Sequence, residues 1–535
     1  MAAREQLPNK PVPRATVTVV QPSLLATMFC LWATLAAAWI STTVFERLPH
    51  VEDEVAFLFQ ARTYAAGRLV APAPPLPEFF SIPFVIVRDG AWFGKYPPGY
   101  PLVLALGVLA GRPWLVNPLA AGLAVGLTYL LGRRVYDAQT GLLAALLLAT
   151  SPFLLIQAGS FLSHVVCLAW TLLFLLGFET ARRRGSAVAG LVAGVALGML
   201  LLSRPLTAVG VSLPFLFWAG IASFRRPAQL RVYSPIAGAT LAAAGLLLGY
   251  NWLTTGHPLL FAYELWWPFD RIGFGPGISP DGSHTLQDGW VNTRFNLREL
   301  EMYLFGWPWR LSLVPVLFAL VVALGRVLRA SGYLGSCRVV RAIGEAARWD
   351  LALGGLALSL VAVHVAYWAG GQMYGPRYYF EASGALALLA ARGLRQAGAW
   401  FEWVSRRVLK GGRIGNVIGV GVPLALLALL IGYGLVWSGP RWFVGYRGWY
   451  GITADGLQTV EAARPENAIV FVKAGYWTEY APFFVQNSPL LDGRVIYALD
   501  LGTEENRRLA EWYPGRALYV WRDGAVVPLD PGTGR

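Results

Sequence analysis

Charged residues are scarce in this chain. Asp, Glu, Lys and Arg make up 14% of its 535 residues, whereas an ordinary soluble domain contains about a quarter. Hydrophobic residues reach 56%, and the mean hydropathy is +0.50. This composition excludes an ordinary soluble domain and predicts an integral membrane protein.

Cysteine and nucleotide-binding motifs are also lacking. The three cysteines, Cys30, Cys167 and Cys337, form no C-x-x-C pair or His/Cys cluster, so neither a zinc site nor a disulfide framework is supported. No strand–GxGxxG–helix unit and no P-loop occurs. The net charge of +14 arises largely from basic residues in short segments between apolar runs. That pattern is typical of membrane topology rather than of nucleic-acid binding.

Apolar runs near the length of about 20 residues that crosses a membrane recur along the chain. The first follows a basic N-terminal segment, residues 1–22, and is too long for a signal-peptide core, so we expect it to be retained. The eleven runs lie at 23–43, 114–132, 140–158, 163–180, 187–203, 206–223, 233–252, 311–329, 351–369, 378–396 and 416–438. A shorter apolar stretch at 100–111 fits an interfacial piece, a re-entrant piece or a twelfth crossing.

The distribution of arginine and lysine orients these spans. With a cytoplasmic N-terminus, the basic connectors GRRVYDAQ, ARRRGS and SRRVLKGGR fall inside, as the positive-inside rule expects. A crossing at 100–111 would move the first two outside, so eleven spans are favoured. The sequence therefore predicts a multi-pass protein of the cell membrane whose long loops, 44–113 and 254–310, lie outside.

The tail after residue 438 changes character. The β-like runs AIVFVKAG, RVIYALDL and ALYVWRDGAVVPL alternate with helical candidates near 455–464 and 503–513. This alternation predicts a small soluble α/β domain at 439–535. The predicted organisation is thus a cytoplasmic segment 1–22, a transmembrane domain 23–438 and an extracytoplasmic domain.

An acidic triplet, Glu52-Asp53-Glu54, begins an amphipathic stretch in the first outer loop. Apolar residues follow near helical spacing at Val55, Leu58, Phe59, Ala65, Ala66 and Leu69, which predicts a helix lying in the membrane interface with one apolar side. The acids have two interpretations. They cap the helix N-terminus, or one of them is a general base at the mouth of a membrane cavity.

A lysine precedes a rigid turn in the same loop. In FGKYPPGYPLVLALG, Lys95 stands just before Pro97-Pro98-Gly99, with Tyr96 and Tyr100 suited to the headgroup level. Lys95 is either an interfacial anchor with its ammonium extended to water or a contact for a phosphate.

Polar residues also gather at the outer ends of spans. Ser160, Ser163 and His164 cluster at one boundary, and Arg204 and Arg377 stand at two others. An isolated histidine is more often only hydrogen-bonded, whereas arginines on the side that the topology disfavours are candidate site residues. Both arginines can hold a phosphate bidentately. The aromatic loop 254–310 fits either short helices on the bilayer or a wall for a lipid chain or sugar.

The order of these pieces resembles the GT-C superfamily of membrane glycosyltransferases. The resemblance rests on Asp53-Glu54 opening a helix, the KYPPGYP run at 95–101, GRRVYDAQTGLLAALLLATSPF at 132–153, and GPRY at 375–378. Within the superfamily, the chain is similar to the branch of protein O-mannosyltransferases and lipid A aminoarabinose transferases. The resemblance covers residues 20–400 approximately.

This resemblance implies an α-helical polytopic fold with interfacial helices in the first outer loop. It also implies a polyprenyl-phosphate sugar donor, an active site at the outer face and inverting transfer. Asp53 matches the family's acidic residue that activates the acceptor, and Glu54 matches its neighbour. Lys95 matches a lysine that contacts the lipid phosphate. The predicted phosphate contacts are Lys95, Arg377 and Arg204, and the predicted contacts to acceptor or donor are His164, Tyr96 and Tyr374.

One departure from the family bears on the metal and the acceptor. Many relatives carry a second acidic residue where this chain has Ser163-His164. We therefore expect metal-independent transfer, because hard divalent cations need several oxygen ligands; a divalent metal is not excluded. Other partners are membrane lipids and a protein, lipid or glycan acceptor, without nucleic acid. The alternatives are a transporter or flippase of lipid-linked sugars and a structural protein.

Overall fold

The computed structural model describes residues 21–333, 344–409 and 412–529, which are predominantly helical. Residues 1–20 of the predicted cytoplasmic segment, Cys337 and the last residues of the tail lie outside these ranges. The helices up to the second long loop are α1 (Pro22–Thr43), α2 (Glu52–Ala65), α3 (Gly99–Leu109), α4 (Val116–Val135), α5 (Ala138–Ala149), α6 (Pro152–Gly159), α7 (His164–Arg184), α8 (Ala187–Ser203), α9 (Pro205–Arg225) and α10 (Leu230–Thr255).

The later helices belong to the second long loop, the last spans and the tail. They are α11 (Ala262–Trp266), α12 (Leu286–Tyr303), α13 (Val314–Tyr333), α14 (Glu345–Val365), α15 (Ser383–Val408), α16 (Gly412–Tyr433), α17 (Gly439–Gly445), α18 (Asp455–Ala463), α19 (Trp477–Phe484) and α20 (Thr503–Trp512). Short 3-10 turns include Arg377–Ala382, which immediately precedes α15.

Eight helical segments within the described ranges are long and apolar enough to cross a membrane, so the chain is a multi-pass membrane protein. They contain α1, α4, α7, α9, α10, α13, α14 and α16. Counted together as one span, helices α5 and α6 make a ninth, bent by 54° at their junction. The remaining two predicted spans coincide with α8, which has 17 residues, and with the charged α15. Helix α3 has 11 residues and rises only about 16 Å, too little to cross hydrocarbon.

Hydrogen bonds at the two ends of α4 identify the two ends of the helical bundle. At one end Asn117, on α4, donates hydrogen bonds to the carbonyls of Ser160 (2.7 Å) and Leu162 (2.8 Å). At the other end Tyr136, just after α4, donates to Asp350 on α14 (2.6 Å). The long loops and the tail gather at the first of these ends, and the basic connectors at the second.

The first loop forms a compact layer around α2. Its strands β1 (Ala71–Pro72), β2 (Val85–Arg88) and β3 (Ala91–Gly94) pair antiparallel in the order β1-β3-β2. The prediction of a helix with a single apolar side is wrong, because α2 is buried continuously from Glu54 to Ala61. The tail covers the outward side, where the rings of Phe59 and Phe484 are 5.8 Å apart.

The tail is the predicted α/β domain. Its sheet has the order β7-β6-β8-β9, with β6 (Ala468–Val472) parallel to both β7 (Val495–Leu499) and β8 (Ala517–Arg522), and β9 (Ala525–Pro528) antiparallel to β8. Helices α18 and α20 lie where the sequence predicted them, and α19 was not predicted. A separate two-stranded ribbon, β4 (Gly275–Pro276) with β5 (Ser283–His284), lies in the second long loop.

The tail docks on the first loop through hydrogen bonds between distant parts of the chain. The ring of His50 lies 3.2 Å from the carbonyl oxygen of Ile452, and the Ala454 amide donates to Glu46 at 2.6 Å. The Tyr480 hydroxyl donates to the carbonyl of Phe79 at 3.2 Å. The docked tail therefore fixes the segment that leads into α2.

Candidate functional site

The residues of the acidic triplet have different surroundings at the start of α2. Val51 is extended and the helix begins at Glu52. Glu54 is fully buried, and its carboxyl accepts a hydrogen bond of 2.8 Å from the His50 amide, as in a helix cap. Burial, together with the nearby charge of Asp53, raises the pKa of Glu54 to about 8 despite that hydrogen bond. Glu54 is thus a neutral, capping group near pH 7.

Asp53 lies one residue earlier and contacts both a tyrosine and an arginine. The Tyr96 hydroxyl donates to Oδ1 at 2.6 Å, and Nη1 of Arg377 lies 3.5 Å from Oδ2. Burial alone would raise the pKa of Asp53. The charges of Arg377 and Lys95 and the Tyr96 hydrogen bond outweigh burial, so the pKa lies below its ordinary value. Asp53 is therefore ionised at neutral pH.

Lys95 lies near Asp53, at the end of the strand next to α2. It follows the end of β3, and its amide donates to the Phe84 carbonyl at 2.9 Å. The ammonium lies 3.4 Å from the centre of the Phe84 ring and 4.3 Å from that of Trp267, and the residue is 4% exposed. Its counter-ion is Asp270, whose carboxyl oxygen is 3.8 Å away.

The enclosure of Lys95 changes its acidity. Burial lowers the pKa of Lys95 to about 8, although the carboxylates of Asp53 and Asp270 favour the charged form. Near pH 7 the ammonium is still mostly protonated, and an additional anion beside it would raise this pKa again. Lys95 is therefore a buried cation suited to receive an anionic group.

Arg204 and His164 meet at a third carboxylate. Arg204 occupies the break between α8 and α9, and its Nε lies 3.4 Å from Oε1 of Glu381. Nδ1 of His164, at the start of α7, is 3.0 Å from the same oxygen. Each cation of the site thus faces its own carboxylate: Lys95 faces Asp270, Arg377 faces Asp53, and Arg204 faces Glu381.

The two predicted tyrosines occupy different positions. Tyr96 is bonded directly to Asp53. Tyr374 is buried, with its ring edge-on to Phe45 at 5.1 Å and to Tyr446 at 5.0 Å. Among the described residues its hydroxyl has no hydrogen-bond partner. The structure therefore joins Tyr96 to the charged cluster and packs Tyr374 into the aromatic contact with the segment after α16.

Asp270 and Glu381 were not identified from the sequence. Asp270 accepts hydrogen bonds from the Tyr367 hydroxyl at 2.8 Å and the Trp368 indole at 3.0 Å. Both donors are about a hundred residues away in the sequence, so no local spacing reveals this contact. Glu381 had a detectable signature, because it is an isolated acid inside an apolar run, where ionisable groups are often functional. Within the described ranges, no group of three or more His, Cys, Asp or Glu side chains is arranged to hold a metal ion.

Two family models match parts of the chain. Residues 102–250 match the family described as dolichyl-phosphate-mannose-protein mannosyltransferase. Residues 468–532 match a domain of unknown function, DUF7846, which corresponds to the sheet of the tail. No curated protein sequence is significantly similar to this chain.

Solved structures resemble the whole chain at low sequence identity. ArnT from Cupriavidus metallidurans, bound to undecaprenyl phosphate, is 13% identical with a TM-score of 0.51, and the match covers 95% of this chain and 98% of that one. The apo oligosaccharyltransferase from Archaeoglobus fulgidus is 14% identical with a TM-score of 0.45, covering 93% and 69%. The chain therefore has an ArnT-like fold, and its predicted resemblance to the GT-C superfamily is confirmed.

Proposed function

We propose that this protein is a glycosyltransferase that moves a sugar from a polyprenyl-phosphate donor to an acceptor at the outer membrane face, with inversion. The observation that carries the proposal is the position of Asp53, an ionised carboxylate next to buried cations at one end of an apolar helical bundle. The ArnT-like fold and the mannosyltransferase match support a lipid-linked donor.

The donor's phosphate binds Lys95, Arg377 and Arg204. A polyprenyl chain must stay in hydrocarbon while its phosphate lies at the boundary. Arg204 and Arg377 stand at the ends of spans, and Lys95 precedes the short helix α3. Because each cation already faces a carboxylate, the phosphate takes the place of a carboxylate rather than entering an empty positive site. Such exchange keeps each buried cation paired with an anion.

The chemical step is a single in-line displacement. The acceptor's hydroxyl or amine attacks the anomeric carbon on the side opposite the phosphate, and its proton passes to Asp53. The bond between the anomeric carbon and the phosphate oxygen breaks, and its electron pair stays on that oxygen. Lys95, Arg377 and Arg204 stabilise the growing negative charge. One displacement at this carbon inverts its configuration, and in this scheme no metal ion is required.

Donor binding also activates the base. Arg377 now holds the pKa of Asp53 down, and a depressed pKa makes a carboxylate a weaker base. When the donor phosphate draws the guanidinium of Arg377 towards itself, Asp53 loses part of this stabilisation and its pKa rises. The proton acceptor therefore becomes effective only after the leaving group is in place.

The test compares Asp53→Asn with the parent protein after reconstitution. Transfer from polyprenyl-phosphate sugars is measured alongside binding of undecaprenyl phosphate as the probe. Loss of a general base costs about 10²–10⁴-fold in rate, so D53N should lose turnover by at least about 100-fold and still bind the probe. The matched control is D89N in the same loop, because the Asp89 side chain is 85% exposed. Transfer by D53N at the parental rate would contradict the proposal.

A further inference from the structure

A cavity lies at the end of the bundle opposite the charged site. It opens between α4 and α7, has a volume of about 420 Å³, and is lined by Leu130, Arg133, Arg134, Leu176 and Arg183. Small-molecule sites typically measure about 300–1,000 Å³. The mechanism proposed above uses none of these residues.

The lining changes from apolar to basic along the helix axes. On α4, Leu130 precedes Arg133 by about one turn, a rise of about 4.5 Å, and on α7 Leu176 precedes Arg183 by two turns. Leu130 is 45% exposed. The leucines therefore lie towards the middle of the bundle, and the arginines lie at its end. This is the polarity profile of a membrane lipid with its headgroup at the arginines.

The arginines outnumber the carboxylates around them. Arg183 pairs with Glu179, but Glu179 also pairs with Arg182 at 2.8 Å and is itself fully buried. Arg134 donates to the neutral hydroxyl of Thr180. The Arg133 side chain is exposed and forms no hydrogen bond or ion pair with any residue in the described part of the chain. Guanidinium charge therefore faces the cavity without a matching anion.

We propose that this cavity binds the headgroup of an anionic phospholipid, with its phosphate at Arg133, Arg134 and Arg183 and an acyl chain along Leu130 and Leu176. Arginines that served only to orient the spans would not need an amphiphilic cavity between two helices. A free phosphate would meet the charge but leave the apolar part of the cavity unfilled.

The experiment uses the full-length protein in nanodiscs of phosphatidylcholine with or without phosphatidylglycerol. Thermal unfolding and native mass spectrometry report stabilisation and retained lipid. The double variant R133Q/R183Q is compared with R225Q/R226Q, which removes the same charge from exposed arginines at the same end. Each basic residue contributes about 1 kcal/mol to such binding, so R133Q/R183Q should retain phosphatidylglycerol about 30-fold less well. The parent and the control should bind it equally.

Three results would overturn the proposal. Phosphatidylglycerol could fail to stabilise the parent, or R133Q/R183Q could retain it as well as the control does. Glycerol phosphate in solution could also stabilise the parent as much as the lipid, which would indicate a phosphate site without a lipid. If the double variant unfolds, the single variant R133Q decides the question, because Arg133 is exposed and its loss breaks no side-chain hydrogen bond or ion pair among the described residues. Undiminished lipid retention by R133Q would then refute the assignment.

Discussion

Asp270 competes with the donor for Lys95 in the proposed mechanism, so Asp270→Asn should tighten donor binding. The carboxylate stands 3.8 Å from the ammonium, and both side chains are nearly fully buried. At an effective dielectric constant of 20, that pair is worth about 4 kcal/mol of Coulomb attraction. The donor phosphate must overcome this attraction to take the place of Asp270.

The net gain is smaller than the Coulomb figure. Asp53 also stabilises the charge of Lys95, and an asparagine still accepts the hydrogen bonds of Tyr367 and Trp368 that fix residue 270. Close charge pairs typically show couplings from about 1.5 kcal/mol upward. We therefore expect D270N to bind undecaprenyl phosphate about tenfold more tightly at pH 6.

The expected gain in affinity for undecaprenyl phosphate depends on pH. The pKa of Lys95 is about 8, because burial lowers it and the charges of Asp53 and Asp270 partly offset burial. Removing the charge of Asp270 in D270N therefore lowers this pKa. At pH 6 the ammonium of the variant stays charged and the full gain appears. At pH 8 a larger fraction of Lys95 is neutral in the variant than in the parent, so the gain shrinks.

The assay is titration of detergent-solubilised protein with undecaprenyl phosphate at both pH values. The control is D281N, an exposed carboxylate of the same loop, which should leave the affinity unchanged. Equal or weaker binding by D270N at pH 6 would refute the competition and make the Lys95–Asp270 pair purely structural.

Two further variants separate the donor site from the base. Lys95→Ala removes a buried cation from the phosphate and should weaken the apparent donor affinity by about 10–100-fold while the acceptor KM stays the same; an unchanged donor affinity in steady-state kinetics counts against the phosphate role. Tyr96→Phe removes a hydrogen bond that lowers the pKa of Asp53, so the acidic limb of the kcat/KM pH profile should move up by about one unit. An unmoved limb would mean that Asp53 does not control it.

Hydropathy and charge were enough to predict the membrane part of the fold. Each of the eleven apolar runs coincides with helix in the structure, because a backbone in hydrocarbon has few ways to satisfy its hydrogen bonds. The stretch at 100–111 also behaves as its length requires, since α3 is too short to cross. The outward orientation of the loops stays a prediction.

The surroundings of α2 could not be predicted in the same way. The periodicity of Val55, Leu58 and Phe59 indicated one apolar side, but a helix buried on most sides carries a similar pattern. The tail, about 400 residues away, supplies the second surface, for example through Phe484. A local pattern reports that a residue is apolar, and it does not report how many partners will cover it.

The charged site shows why the cations could be predicted and two of their partners could not. Arg204 and Arg377 were conspicuous because arginine is disfavoured on the predicted outer side, and Lys95 because it precedes a rigid turn. Burying such cations without counter-ions would cost several kcal/mol each, so the folded chain must bring carboxylates to them before any donor arrives. Asp270 and Glu381 meet that requirement from remote segments.

The same requirement connects stability with mechanism. A site that folds with every cation paired can accept a phosphate only by releasing a carboxylate, and Asp53 is the one released by Arg377. If Asp53 is the base, the group needed to stabilise the resting site is also the group freed when the donor binds. A carboxylate that only stabilised the fold would remain paired with Arg377 when undecaprenyl phosphate is present. Infrared difference spectra of the parent and D53N, recorded with and without that lipid, distinguish the two cases: a shift of the Asp53 carboxylate band on binding is expected, and its absence would leave Asp53 a structural counter-ion.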